Sequence, residues 1–138
     1  MVVEPELLGK RQPMIDTEWP GHFPPSSNCP PSDSVDLDHS VYYLVANSPP
    51  IADDFLSALE RDAFRKDPPC DRASLSCGLT LQYITDLRKS VPRLRSMLIA
   101  RSDLNAEHGR IKKTRGPGHY SLWLRRVALE KAPTLFRV

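Results

Sequence analysis

Half of the chain's prolines lie in its first 40 residues, and this limits where regular secondary structure can form. Residues 1–40 contain seven of the fourteen prolines, scattered serines and aspartates, and no sustained apolar periodicity. Proline fixes its own φ angle and donates no backbone hydrogen bond, so it interrupts helices and central strands. Such a segment also buries too little apolar surface to offset the entropy lost on ordering. We therefore predict an acidic, proline-rich arm over 1–40, largely without regular structure, and one α+β domain over 41–138.

One aromatic pair stands apart within the arm. Trp19 and Phe23 lie among prolines in residues 18–25. This stretch could dock in an extended conformation into a groove. Because a Trp is unusual in a disordered tail, we expect the pair to pack onto the protein's own domain.

Residues 41–138 predict alternating strands and helices. Helices are expected at 51–65 and, with Thr85 as the N-cap, at 86–91. Gly116-Pro117-Gly118 predicts a turn. Strands are expected from β-branched, aromatic or alternating apolar residues at 41–45, 78–83, 96–101, 110–115, 119–124 and 134–138. The prediction is a single compact α+β domain with a five- or six-stranded, mostly antiparallel sheet and two or three helices.

Charge is divided as unevenly as proline. Residues 1–40 hold seven acidic and two basic side chains, whereas residues 88–138 hold three acidic and thirteen basic ones. A strongly cationic segment favours a polyanion or an acidic partner. The basic and aromatic residues around the predicted turn offer cations for phosphates and rings for base stacking; they are Arg110, Lys112, Lys113, Arg115, Arg125, Arg126, Tyr120 and Trp123. The alternative is a solvated basic face that keeps an edge strand from pairing with another chain.

The three cysteines predict neither a metal site nor a disulfide framework. Cys29, Cys70 and Cys77 form no Cys-x-x-Cys pair and have no histidines at zinc-binding spacing. Free thiols fit a reducing cytoplasm, although one bridge, such as Cys70–Cys77, stays open. The longest wholly apolar run, 41–46, is far shorter than the ~20 residues of a membrane-spanning helix, and the N-terminus shows no signal-peptide pattern. We expect a cytoplasmic protein with no membrane association.

The order of these segments also carries a resemblance. Residues 41–45, 50–55, 78–81, 97–100 and 118–123 resemble a widespread class of small, uncharacterised bacterial proteins. More distantly, a strand, a helix, a "Gly-apolar-Ser/Thr-apolar" strand, a helix and a meander resemble the ADP-ribosyltransferase-like fold of several bacterial toxins.

That second resemblance implies an NAD site. It is built from an Arg or His on the first strand, a hydroxyl or Tyr on the next, and a late Glu. In this chain the first strand offers Tyr42 and Tyr43, with His39 just before it. Candidates for the hydroxyl are Ser76 and Thr80, and the late glutamates are Glu107 and Glu130.

Three classes of function follow. As a binding protein, the chain would engage an acidic protein or a nucleic acid through its cationic C-terminal surface, with the acidic arm folded across that surface when no partner is present. As a component of a bacterial toxin–antitoxin or similar pair, the chain would present its arm to another protein. No cofactor is expected in this case.

As an enzyme, the chain would be a small transferase or toxin acting on NAD or a nucleic acid. Its catalytic candidates are His119, Tyr42, and Glu107 or Glu130. His119 titrates near neutrality and follows a turn whose glycines let the backbone approach a ligand. The alternative is an ordinary strand histidine after a tight turn. The sequence leaves the ligand and the oligomeric state open.

Overall fold

The described residues form six strands and three α-helices. The computed structural model describes residues 18–24, 28–62 and 69–138. The strands are β1 (Val35–Asp36), β2 (His39–Val45), β3 (Leu75–Cys77), β4 (Leu98–Leu104), β5 (Gly109–Lys113) and β6 (Tyr120–Leu124). The helices are α1 (Ala58–Arg61), α2 (Leu81–Ser90) and α3 (Arg126–Leu135), with 3-10 turns at Ala52–Phe55, Cys70–Ala73 and Pro92–Leu94.

All strand pairs are antiparallel and form two sheets. One sheet has the order β1-β5-β6-β3, and the other pairs β2 with β4. A bridge joins the sheets, because Tyr42 and Gly78 exchange two backbone hydrogen bonds of 2.8 and 3.0 Å. The predicted α+β class, the strand number and the antiparallel pairing are confirmed, with the strands divided between two linked sheets.

One apolar core is shared by both sheets and α3. Side chains alternate along a strand, so Val41, Tyr43 and Val45 of β2 point inward. The Tyr43 and Phe55 rings stack with their centroids 5.3 Å apart, and the Tyr43 hydroxyl donates a 2.6 Å hydrogen bond to the Asp54 carbonyl. Burial raises the pKa of Tyr43 far above its ordinary value, so its hydroxyl stays protonated.

The predicted continuous helix over 51–65 is wrong in its described part. A 3-10 turn ends at Phe55, and α1 begins only after Ser57. Ser57 restarts the helix through a capping box. The Glu60 N–H donates to Ser57 Oγ at 3.2 Å, and Glu60 Oε1 accepts from the Ser57 N–H at 3.0 Å. This Ser-x-x-Glu pattern marks a helix start, and it outweighs the apolar spacing across 51–65.

The Asp54 carboxylate organises the segment before that restart. It accepts backbone hydrogen bonds from Ala46 at 2.7 Å and Ile51 at 2.9 Å, and it also contacts the Asn47 amide. Burial raises the pKa of Asp54, but the hydrogen bonds from Ile51, Ala46 and Asn47 outweigh burial and leave the pKa below its ordinary value.

The predicted strand over 78–83 is also misplaced. Strand β3 ends at Cys77, and α2 begins at Leu81 rather than Asp86. Thr80, not Thr85, is the N-cap, since Thr80 Oγ1 accepts the Tyr83 N–H at 3.1 Å. Of the apolar positions that suggested one strand, Leu79 lies in the bend before α2, and Leu81 and Tyr83 lie within α2.

Helix α3 extends to Leu135, into the region where a strand over 134–138 was predicted. Helix α3 buries Ala128 and Ala132, four residues apart, against the core. Of the strand predicted at 134–138, one bridge exists, in which Arg137 and Arg101 exchange backbone hydrogen bonds of 2.8 and 2.9 Å. Among the described residues, no helix is long and apolar enough to cross a membrane.

The described part of the arm packs on the domain. Trp19 and Phe23 join a second apolar cluster with Leu59, Ala73 and Trp123, as expected for this aromatic pair. Residues 1–17 and 25–27 of the predicted arm lie outside the described residues.

A disulfide joins Cys29 of the arm to Cys70, with Cα atoms 5.3 Å apart. The expectation of free thiols is therefore wrong for these two residues, and so is the open alternative of a Cys70–Cys77 bridge. Docking of the arm brings together cysteines 41 residues apart in sequence. Cys77 is a free, buried thiol whose pKa burial raises strongly.

Candidate cationic interface

A β-hairpin and the start of a helix position the predicted basic residues. We call these residues, which are Arg110, Lys112, Lys113, Arg115, Arg125 and Arg126, the cationic surface. Strands β5 and β6 pair from Gly109 opposite Leu124 to Lys113 opposite Tyr120, which confirms the predicted hairpin and its turn. The backbone N–H of Arg125 donates to the His108 carbonyl at 2.8 Å. That bond places the start of α3 beside the start of β5.

Acidic residues of the arm form ion pairs with Arg110 and Lys112 of β5. Arg110 donates to Asp36 at 2.7 Å and also contacts both the hydroxyl and the carbonyl of Ser34. Lys112 Nζ lies 2.8 Å from a carboxylate oxygen of Asp33. The hydrogen bond and positive charge of Lys112 hold the pKa of the Asp33 carboxyl below its ordinary value.

The two arginines at the start of α3 contact the arm's aromatic segment. The Arg126 side chain lies 2.8 Å from the Glu18 carboxylate, and the Arg126 backbone N–H donates to the Glu18 carbonyl at 2.9 Å. The first N–H groups of a helix have no partner within the helix, so Glu18 supplies one from outside. The Arg125 guanidinium lies over the Trp19 ring, 4.4 Å from its centroid, within the range of a cation–π interaction.

Four of the six basic residues therefore contact the arm, and two face solvent. Lys113 and Arg115 are exposed at the end of the hairpin. Exposed ion pairs each contribute only about 0–1 kcal/mol. The charges of the arm therefore determine where it docks more than how strongly it docks. Apolar burial holds it more strongly, because Phe23 is 8% exposed and full burial of a Phe side chain contributes about 2–3 kcal/mol.

The two predicted stacking aromatics serve packing in this structure. Trp123 is 1% exposed, and its indole N–H donates to the Cys70 carbonyl at 3.2 Å. Tyr120 is half-buried and packs against the core. A buried indole presents no ring face to a nucleic-acid base, so stacking at this surface would need other aromatic rings.

His119 forms a small polar network at the end of the hairpin. Its Nδ1 lies 2.9 Å from Thr114 Oγ1, which lies 2.9 Å from Ser121 Oγ. Burial lowers the pKa of His119, and the charge of Arg115 lowers it further. A neutral imidazole beside a hydroxyl can accept a proton, which is one property of a general base.

The other catalytic candidates lie on separate elements. Tyr42 is on β2, Glu107 is exposed in the turn after β4, and Glu130 is exposed on α3. No hydrogen bond or ion pair joins any two of these residues and His119 within the described part of the chain. His39 is the exposed first residue of β2, Ser76 is exposed on β3, and Thr80 is used as the N-cap of α2.

Sequence reasoning missed a groove of about 700 Å³ beside β4, lined in part by Tyr42, Leu81, Ile99, Arg101 and Arg137. The Arg101 guanidinium is already engaged there, since it donates to Ser40 and Asp103 at 3.1 Å each. No sequence pattern relates Arg101 to Arg137, because their proximity depends on the bridge between β4 and the C-terminal segment. Three or more metal-ligating side chains do not cluster anywhere in the described ranges.

The arrangement can bind anions and aromatic groups, and it already holds such groups from its own arm. No protein-family model, curated protein or solved structure matches the chain, so the functional argument depends on this geometry.

Proposed function

We propose that the protein is a binding protein that engages an acidic protein or a nucleic acid through its cationic surface. The observation that carries the proposal is the position of the arm. Glu18, Asp33 and Asp36 each lie within 2.8 Å of a different basic side chain of this surface. The arm thus competes with external anions for the basic side chains of the cationic surface.

This competition is electrostatic. Each arm carboxylate neutralises a cation that an external phosphate or carboxylate would otherwise contact. A bound polyanion releases counterions, so its affinity falls with salt in proportion to the number of cations engaged. Freeing cations from the arm should therefore raise both the affinity and its salt dependence.

The test neutralises the arm without removing it, because Leu37 and β1 belong to the packed fold. The triple variant is Glu18→Gln, Asp33→Asn and Asp36→Asn, and the probe is a fluorescent single-stranded oligonucleotide or a polyglutamate. The matched control removes the same number of charges at exposed acids outside the arm; it is Asp53→Asn, Asp71→Asn and Glu130→Gln.

We expect the arm variant to bind the oligonucleotide at least tenfold more tightly than the control. Its log–log salt slope should be steeper by about two, since three freed cations each contribute about 0.7 on a single strand. Equal gains in both variants would reduce the effect to net charge and refute masking by the arm. If neither variant binds either probe, the cationic surface is not an interface.

The alternative, an ADP-ribosyltransferase-like enzyme acting on NAD, gains no support from the geometry, because its candidate residues do not converge on one site. A cytoplasmic location also stays a prediction. The Cys29–Cys70 disulfide weighs against it, because disulfides persist mainly in oxidising compartments.

A further inference from the structure

The contacts that the arm makes with the domain indicate which kind of partner could replace the arm, and they also cover the site that this partner would bind. Between Glu18 and Pro24 the chain presents a carboxylate, an aromatic ring, a proline turn and a second aromatic ring in that order. The domain offers a complementary feature to three of these groups: the Arg126 side chain to the carboxylate, the Arg125 guanidinium to the first ring and an apolar pocket to the second ring. The match is one of chemistry in sequence order, not of net charge alone.

The apolar pocket takes the second ring. Phe23 packs with Leu59, Ala73 and Trp123, and it stacks on Trp19 with the two centroids 5.9 Å apart. The turn that brings the rings together is closed by the Phe23 N–H, which donates to the Pro20 carbonyl at 3.1 Å. A ligand with an acid–aromatic pair and a second aromatic four residues after the first would make the same contacts.

Unlike the part of the arm from Cys29 onward, the docked segment 18–24 has neither a disulfide nor strand pairing to hold it. Residues 18–24 contain no helix or strand, and the Glu18–Arg126 ion pair is open to solvent, with the two side chains 71% and 44% exposed. His22 Nε2 is buried without a hydrogen-bond partner in the described structure, and the nearest Glu60 oxygen is 3.5 Å away. A buried polar atom without a hydrogen bond weakens the contact that buries it, and the Glu60 carboxylate forms an ion pair with His22 only when the imidazole is protonated.

The disulfide separates this segment from the rest of the arm. Cys29 is fixed to Cys70, and Asp33, Asp36 and Leu37 follow it in the folded domain. Residues 18–24 precede the bridge, so they can leave the surface without disturbing β1. Their release would uncover the apolar pocket together with Arg125 and Arg126.

We propose that residues 18–24 occupy the binding site of an acidic, aromatic-containing peptide segment of another protein, which displaces them. This inference rests on the proposed function and narrows its two partner classes to one. A peptide is favoured over a nucleic acid because the pocket holds a Phe side chain and the Arg126 N–H takes a peptide carbonyl.

The test uses the full chain with its own segment weakened. The variant Trp19→Ala/Phe23→Ala removes the two ring contacts. A second variant, Glu18→Lys, makes the Arg126 contact repulsive and leaves the apolar cluster intact, so it serves if the first folds poorly by circular dichroism. The matched control is Ile51→Ala/Leu81→Ala, which removes two large apolar side chains that are exposed elsewhere.

The probe is a fluorescein-labelled peptide with the sequence of residues 18–24, followed by anisotropy, with a scrambled peptide and a single-stranded oligonucleotide alongside. We expect either arm variant to bind the peptide at least tenfold more tightly than the natural chain or the control. Adding Arg126→Glu should abolish that gain, and the scrambled peptide should not show it.

The outcomes separate this inference from the proposed function. If the oligonucleotide gains affinity for the arm variants and the peptide does not, the peptide inference is overturned while the cationic interface stands. If neither probe gains affinity, both fail. Equal binding of the scrambled peptide would also overturn the inference, because it would show charge attraction without recognition of the aromatic order.

Discussion

Removal of the Cys29–Cys70 bridge should destabilise the protein by an amount that follows from its loop length. The bridge closes a segment with a sequence separation of 41 residues. In the chain-entropy model a closed loop of this size stabilises the folded state by about 4 kcal/mol, because the unfolded chain loses conformational freedom. We therefore expect Cys29→Ala/Cys70→Ala to lower the free energy of unfolding by about that amount.

Urea denaturation followed by tryptophan fluorescence measures this effect, since the two tryptophans, Trp19 and Trp123, lie in the cluster next to the bridge. Cys77→Ala is the control, because it removes a buried thiol outside the bridge and should cost only roughly 1 kcal/mol. Alkylation of the natural chain in denaturant without reductant should label one thiol. Labelling of three thiols, or a double-variant loss no larger than that of the control, would refute the reasoning.

Further predictions concern a buried carboxylate and a turn. Asp54→Ala should lower the free energy of unfolding by about 3 kcal/mol, because two backbone N–H groups lose a charged acceptor. Burial raises the pKa of Asp54 but hydrogen bonding outweighs it, so this contribution is present above about pH 4 and is lost as the pH falls through the folded-state pKa; urea midpoints of the natural and Asp54→Ala chains should converge in acid. Gly118→Ala should cost about 2 kcal/mol in thermal unfolding, since Gly118 has φ of +83° and an added Cβ would collide with the Tyr83 ring. Gly116→Ala, where a Cβ meets open space, should be nearly neutral.

Strands bounded by turn residues were predictable from the sequence. Residues 41–45 and the hairpin around Gly116 have β-branched or alternating apolar residues bounded by turn residues, and the structure places strands there. These signals are local, because a strand with one buried face repeats every two residues. The third predicted strand, 96–101, lies two residues early relative to β4, which starts at Leu98.

Helix boundaries failed where a cap competes with apolar spacing. Ser57 and Thr80 each accept a hydrogen bond from an N–H three residues later, and a satisfied N-cap contributes about 1 kcal/mol. That decides where a short helix begins. Helix α3 was missed because Pro133 lies inside it, and proline normally marks a helix end. Its buried Ala128 and Ala132 are small residues that give a weak periodic signal.

The candidate site was predictable in charge and not in detail. Composition placed opposite charges in the arm and the C-terminal third, and the proposed contact between them follows from attraction alone. Which carboxylate meets which cation depends on the register of β1 against β5 and on the disulfide. Three cysteines permit three pairings, so no local pattern selects Cys29–Cys70. The burial of Trp123 depends likewise on docking of the arm against its cluster.

The proline content and the acidity of the arm both suit an arm that docks on the cationic surface without regular secondary structure. A segment paired with the domain as a strand would have to break its ladder hydrogen bonds to leave the surface. Residues 18–24 are instead held mainly by side chains and, within the described structure, by one backbone bond from Arg126 to Glu18. Rigid prolines also reduce the entropy lost when this segment docks. Asp33 and Asp36, which form ion pairs with basic residues of β5, follow the disulfide in sequence and stay paired there. We therefore expect the arm to leave Arg125 and Arg126 faster than it leaves Arg110 and Lys112. The Cys29–Cys70 disulfide separates the two parts of the arm that make these contacts.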